Sequence, residues 1–327
     1  LIMQNFNINV KKLHNYCPKV EKLTMAIYNG NMSSHLSKFS AAIAWEIPCI
    51  DVVLGDMIEK IKSPDVTVSG HNARFRISGK KVHSCGLELP GGAITVLNGN
   101  MVSSPELLFL DLACELSIHR LILLGLQMCS HKQGDPSEAI TTKQKLAAFL
   151  AKTAGHRGQK KAMRAVKYIE NGSASIMESL AFMILTLPHT LGGYGLDGAV
   201  FNHEILLTGE ARKLLGQRRC FADLYYKQAR VAVEYESFAH HNSPKEQGKD
   251  AIRSEALERM GIKVMHLNTI QLFDRNACRI FAYNIAKQLK KCIRIRSKSF
   301  DEMHTLLRTL LPERKFDPKD PDAEANG

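Results

Sequence analysis

The stretch "FADLYYKQARVAVEYESFAHH", residues 221–241, limits the fold more than any other part of the chain. Two runs rich in aromatic and β-branched residues, "FADLYY" and "RVAVEYESF", lie close enough in sequence to pair as a hairpin. Each carries acid where a buried strand should be apolar: Asp223 in the first run, Glu234 and Glu236 in the second. An unpaired ionised carboxylate in a dry interior costs several kcal/mol or is neutralised. Either cations answer these groups, or the strand end is open to solvent.

Side chains alternate across a strand, so Glu234 and Glu236 share a face, and Asp223 on the neighbouring strand can reach it. Upstream, "SASIMESLAFMILTL" reads as an apolar helix interrupted by one acid, Glu178. Four acids converging from a helix and two strands would make a hard-oxygen site. Mg²⁺ (or Mn²⁺) suits such a site, since Mg²⁺ takes one or two carboxylates and fills its shell with water and phosphate oxygens.

Charge points to a partner. The net charge of +12 is uneven, with +3 on residues 1–150, +11 on 151–312 and −2 beyond. A basic surface around an acidic site suits a polyanion such as DNA better than a small neutral substrate. In "RGQKKAMRAVKYIENG", Arg157, Lys160, Lys161, Arg164 and Lys167 recur at helical spacing and form a basic stripe. Such a stripe is either a solvated face or a phosphate-contacting one.

The eight cysteines show no C-x-x-C and no zinc spacing, which fits structural thiols in a reducing cytoplasm. No apolar run approaches the roughly 20 residues of a membrane span, and residues 1–20 lack a signal-peptide core. No G-x-G-x-x-G after a strand, P-loop or G-x-S-x-G appears, which leaves small-molecule enzymes without support.

The pattern predicts an α/β chain in three parts: a small α/β module over 1–135, a second α/β domain over 136–300, and a C-terminal extension with a disordered tail over 301–327. In the first part "SSHLSKFSAAIAWE" reads as a helix capped by Ser33 or Ser34, followed by strands "DVTVSG", "ARFRIS" and "AITVLNG". "SSPELLFLDLACELSIHRLILLGLQMC" reads as helix capped by Ser104, with His119 at its surface or boundary. "SHKQGDPSEAITT" is the best linker. The second part orders as α-β-β-β-α-β-α.

The acid before a hairpin, followed by D-x(10)-E-x-(D/E) across it, resembles the PD-(D/E)xK nuclease superfamily. "ASIMESLAF", "KDAIRSEALERMGIKVMHLN" and "TIQLFD" resemble one branch more closely, domains related to very-short-patch-repair endonucleases. The match covers roughly 170–290 well and the first half loosely. The resemblance implies a restriction-endonuclease-like mixed sheet flanked by helices and a metal-dependent endonuclease acting on DNA. Its metal-site acids would be Glu178, Asp223 and Glu234. Glu236 stands where the branch has Asp and the wider superfamily lysine. His241, or else His240, would be the histidine after the strand, acting as acid or base. Asp250 and Arg253 fit its D-x-x-R helix pair, read here as structural. The module over 1–135 would recognise DNA, pair with a second copy or hold a partner protein. The rival expectation is a nucleic-acid-binding regulator of abortive-infection or antitoxin type that cuts nothing.

Overall fold

The computed structural model describes residues 34–69, 80–236 and 244–312. The run "ARFRIS", His240, His241, the Asp250 side chain and the tail from 313 lie outside the described residues. The chain is mixed α/β, with two mixed sheets flanked by helices.

The first half contains β1 (Ser34–Leu36), α1 (Lys38–Ala44), α2 (Ile50–Leu54), β2 (Asp65–Ser69), β3 (Lys81–Cys85), β4 (Ile94–Leu97) and β5 (Asn100–Ser103). The strands form one sheet in the order β3-β2-β1-β5-β4. Two helices follow, α3 (Pro105–Leu112) and α4 (Ile118–Met128), then α5 (Lys143–Ala151) and α6 (Gln159–Val166). Next come α7 (Ile176–Thr186), β6 (Ala199–Leu206), α8 (Gly209–Leu215), β7 (Arg219–Tyr226), β8 (Val231–Glu236), α9 (Pro244–Arg259) and β9 (Lys263–Asn268). The chain continues through α10 (Thr269–Phe273), α11 (Arg275–Gln288) and α12 (Phe300–Arg308). The second sheet runs β6-β7-β8-β9. Its first two pairings are antiparallel, and β9 joins β8 in parallel after the α9 crossover.

Four expectations need correction, the first being the order α-β-β-β-α-β-α, since α8 lies between β6 and β7. Ser34–Leu36 is a strand paired with β2 and β5, and the helix begins only after Ser37, so Ser34 does not cap it; Ser33 lies outside the described residues. The long helix over residues 104–129 is two helices, because Ser117 caps a fresh start by accepting a hydrogen bond from the Arg120 N–H. His119 is no surface residue: it is 3% exposed and its Nε2 lies 2.8 Å from the Leu191 carbonyl oxygen. Its ring closes α4 onto the loop after α7.

The second sheet is packed on both faces. Leu224, Tyr226, Val231, Val233 and Leu267 join a large core with α7 and α11, and that core runs on into the first half and to α12. On the opposite face Tyr225, Ala232 and Val264 meet Ala211 of α8 and Ala256 and Leu257 of α9. Burial on both faces explains why β7 and β8 read as nearly continuous apolar runs. Among the described residues, no helix is long and apolar enough to cross a membrane.

Candidate functional site

Side-chain alternation breaks at one point in the second sheet, and the acids gather there. Cys220 and Ala222 pack with the smaller core, whereas Leu224 and Tyr226 join the larger one. The strand therefore changes faces at Asp223. On the adjoining β6, Phe201 belongs to the larger core and Ile205 to the smaller, with the change at Asn202. Asn202 has φ of 42°, a left-handed conformation that Asn tolerates better than most side chains.

The turn at Asn202 directs its amide at Glu178. Asn202 Nδ2 donates to Glu178 Oε2 at 2.9 Å and to the Gly172 carbonyl at 2.8 Å, while Gln133 donates to Asn202 Oδ1 at 2.7 Å. Glu178 also belongs to a capping arrangement at the start of α7. Ser175 Oγ accepts from the Glu178 N–H and donates to Glu178 Oε1 at 2.9 Å, and the Ala174 N–H donates to Oε2 at 3.0 Å. These donors, with the positive end of the helix, favour the carboxylate. Burial and then the charge of Asp223 outweigh them, lifting Glu178 to about 7. At neutral pH this carboxyl is poised between its two forms.

Asp223 is half-buried, and its Oδ2 accepts the Tyr235 N–H at 2.9 Å. Burial raises its pKa, against that hydrogen bond and the charge of Arg253. Glu234, 9% exposed, meets the Arg253 guanidinium, whose Nη2 lies 3.1 Å from Oε1 and 3.0 Å from Oε2. The same Nη2 donates to the Phe221 carbonyl, so Arg253 ties α9 to both strands of the hairpin. Glu236 Oε1 lies 2.5 Å from His266 Nδ1 on β9, and His266 Nε2 lies 3.1 Å from Ser254 Oγ on α9.

The acids in the hairpin are thus met in three ways: a backbone N–H for Asp223, an arginine for Glu234 and a histidine for Glu236. Among the described residues, no three His, Cys, Asp or Glu side chains are arranged to hold a metal ion. Glu178 and Asp223 could serve a cation that needs only one or two carboxylates, since the Asp223 charge reaches Glu178. Glu236, His266 and Ser254 form an acid–imidazole–hydroxyl chain. Ser254 sits inside a helix whose N–H groups are spent on helical bonds, so it has no adjoining oxyanion donors and the chain braces α9 against the sheet.

Arg157, Lys160, Arg164 and Lys167 are exposed around α6, whereas Lys161 turns inward and donates from Nζ to the Leu116 carbonyl. The stripe therefore loses one member. Sequence reasoning missed Asn202 and His266. The signal for Asn202 was an Asn inside the strand "AVFNHEIL"; His266 becomes relevant only through its register opposite Glu234. No protein-family model, curated protein or solved structure matches the chain.

Proposed function

We propose that the chain is a divalent-metal-dependent endonuclease acting on DNA, with a restriction-endonuclease-like arrangement in its second half. The observation that carries the reading is the buried carboxylate pair. Asp223 sits where its strand changes faces, Glu178 is bonded to Asn202 where the neighbouring strand does, and the Asp223 charge adds to burial in raising Glu178. The exposed cations around α6 supply a surface for a phosphate backbone.

Glu178 and Asp223 would hold Mg²⁺ or Mn²⁺, which supplies an acidified water and a counter-charge for the phosphate. Asn202 and Ser175 orient the Glu178 carboxyl, which would give up its proton when a cation binds. Arg253 holds Glu234 apart as a structural counter-ion. His241 remains the family-based expectation for an acid or base.

A second reading rests on the same hairpin. Arg253 and His266 already engage Glu234 and Glu236, the two acids the resemblance places in or beside the metal site. That favours a nucleic-acid-binding regulator that does not cut.

Plasmid and short-duplex assays with Mg²⁺ or Mn²⁺, including mismatched and single-stranded substrates, separate the readings. Cleavage that Asp223→Ala reduces at least ~10²-fold while binding persists supports the nuclease. Binding without metal-dependent cleavage across the panel supports the regulator.

A further inference from the structure

A cavity of about 380 Å³ lies in the first half, away from the acids of the second sheet. Its floor is a row across three neighbouring strands: His35 on β1 faces Thr67 on β2, which faces His83 on β3. The other face of these strands is apolar, with Leu36 and Val66 in the main core. Asp111, at the end of α3, and His156 and Arg157, before α6, line it as well.

The polar groups here are under-satisfied. His35 is 5% exposed, and its Nε2 has no hydrogen-bond partner among the described residues. Burial pushes its pKa down to about 4, so at neutral pH the ring is uncharged, with one N–H donor and one acceptor. Both nitrogens of His156 are buried and have no partner among the described residues. A buried polar atom left unpaired costs free energy that a ligand can recover. His83 Nε2 is held at 2.7 Å by Asp65, which fixes its ring. Burial lifts Asp111 to about 7, so its carboxyl can donate or accept.

These features select a ligand class. The neutral His35 ring, the unpaired nitrogens of His156 and the Asp111 carboxyl match a group presenting both donors and acceptors along a flat edge. Leu107 and Leu110 supply apolar wall. Arg157 is exposed and begins the basic row that continues through Lys160 and Arg164. A lone inorganic anion would leave most of the volume and the apolar wall unused.

We propose that this cavity binds a single phosphate-bearing nucleotide, its base against the His35–Thr67–His83 row and its phosphate on Arg157. Such a nucleotide is either free in solution or the unpaired end of a strand lying along α6. The site shares no residue with the carboxylate pair, so it stands whether or not the chain cuts DNA.

The test is calorimetric titration of the full chain with the four nucleoside 5′-monophosphates, the matching nucleosides and inorganic phosphate. At least one monophosphate should bind with unit stoichiometry, and more tightly than its nucleoside or phosphate. Arg157→Ala should weaken the monophosphate about ten- to a hundredfold, the scale of one charge-assisted hydrogen bond, and leave the nucleoside unchanged. His35→Phe should weaken both. Arg157 lies at the surface, so its variant remains informative if the His35 variant misfolds. Competition by single-stranded-tailed DNA, and not by blunt duplex, would assign the nucleotide to a strand end; no competition would assign it to the free pool. The proposal fails if no monophosphate binds at millimolar concentration and tailed DNA binds no better than blunt. It also fails if binding is indifferent to both substitutions.

Discussion

One nitrogen of Arg253, Nη2, bonds both the buried Glu234 carboxylate on β8 and the Phe221 carbonyl on β7. The side chain is partly exposed, but the carboxylate it answers is not. Arg253→Met should therefore destabilise the fold by about 2–4 kcal/mol, toward the lower part of the range for breaking a buried pair. Adding Glu234→Gln should recover part of the loss. Urea denaturation of the two single variants and the double variant measures this coupling, and strictly additive losses would show that the contact contributes nothing.

Asn202 separates two contributions. Asn202→Ala removes its hydrogen bonds to Glu178, Gly172 and Gln133 and leaves a Cβ residue at φ of 42°. A loss of about 3–4 kcal/mol is expected, of which roughly 1 is backbone strain. Asn202→Gly should be milder by that strain alone. Asn202→Asp should be worse than either above neutral pH, because it puts another carboxylate beside Glu178. Thermal melts of the three variants at pH 6 and pH 8 give the order.

Asp111 supplies a pH signature. Its carboxyl rises from 3.8 to about 7 on folding, chiefly through burial, so the native state keeps a proton that the unfolded chain releases. Stability from this group is full below pH 3.8 and declines as pH rises to about 7. Asp111→Asn keeps the acceptor for the Ser103 hydroxyl. The variant should match the parent at pH 4 and exceed it at pH 8 by about 2–3 kcal/mol, less than the full shift implies because the group borders an open cavity. Parallel stability curves at the two pH values would contradict this.

The cations near α6 divide by direction. Lys160→Ala, Arg164→Ala and Lys167→Ala should each weaken DNA binding with little sequence preference and lower the salt slope by about one. Lys161→Ala should leave the slope unchanged and lower the melting temperature, because its Nζ caps the Leu116 carbonyl inside the protein. Fluorescence anisotropy across a salt series distinguishes the two behaviours.

The hairpin was legible because its signals are local: aromatic and β-branched residues on each strand, a polar turn between them, and a period of two that puts Glu234 and Glu236 on one face. The helix from Ile176 was equally plain, although Ser175 and Glu178 also spell a capping pair that the acidic reading passed over. What could not be read is non-local. The strands change faces at Asn202, with its φ of 42°, and at Asp223, and a strict alternation carried through them misassigns Ala222 or Leu224. Arg253 was read as structural, paired with Asp250, whose side chain lies outside the described residues; its contact with Glu234 was not legible, because α9 lies over β8 only after the parallel crossover is made. His119 was misplaced because its partner, the Leu191 carbonyl, is 72 residues away.

The last described helix has a consequence for how the protein is made. His304 of α12 is fully buried, with its Nδ1 2.7 Å from the Gly192 carbonyl oxygen, while Arg308 donates to the Leu272 carbonyl at 3.1 Å. Phe300, Leu307 and Leu310 belong to a core that reaches back to Leu36. A ribosome delivering this chain must therefore release residues through Leu310 before that core can close, leaving the apolar surfaces of α4 and α7 uncovered until then. Nascent chains halted before residue 300 should recruit holding chaperones, and gene truncations that trim the C-terminus should stop short of α12.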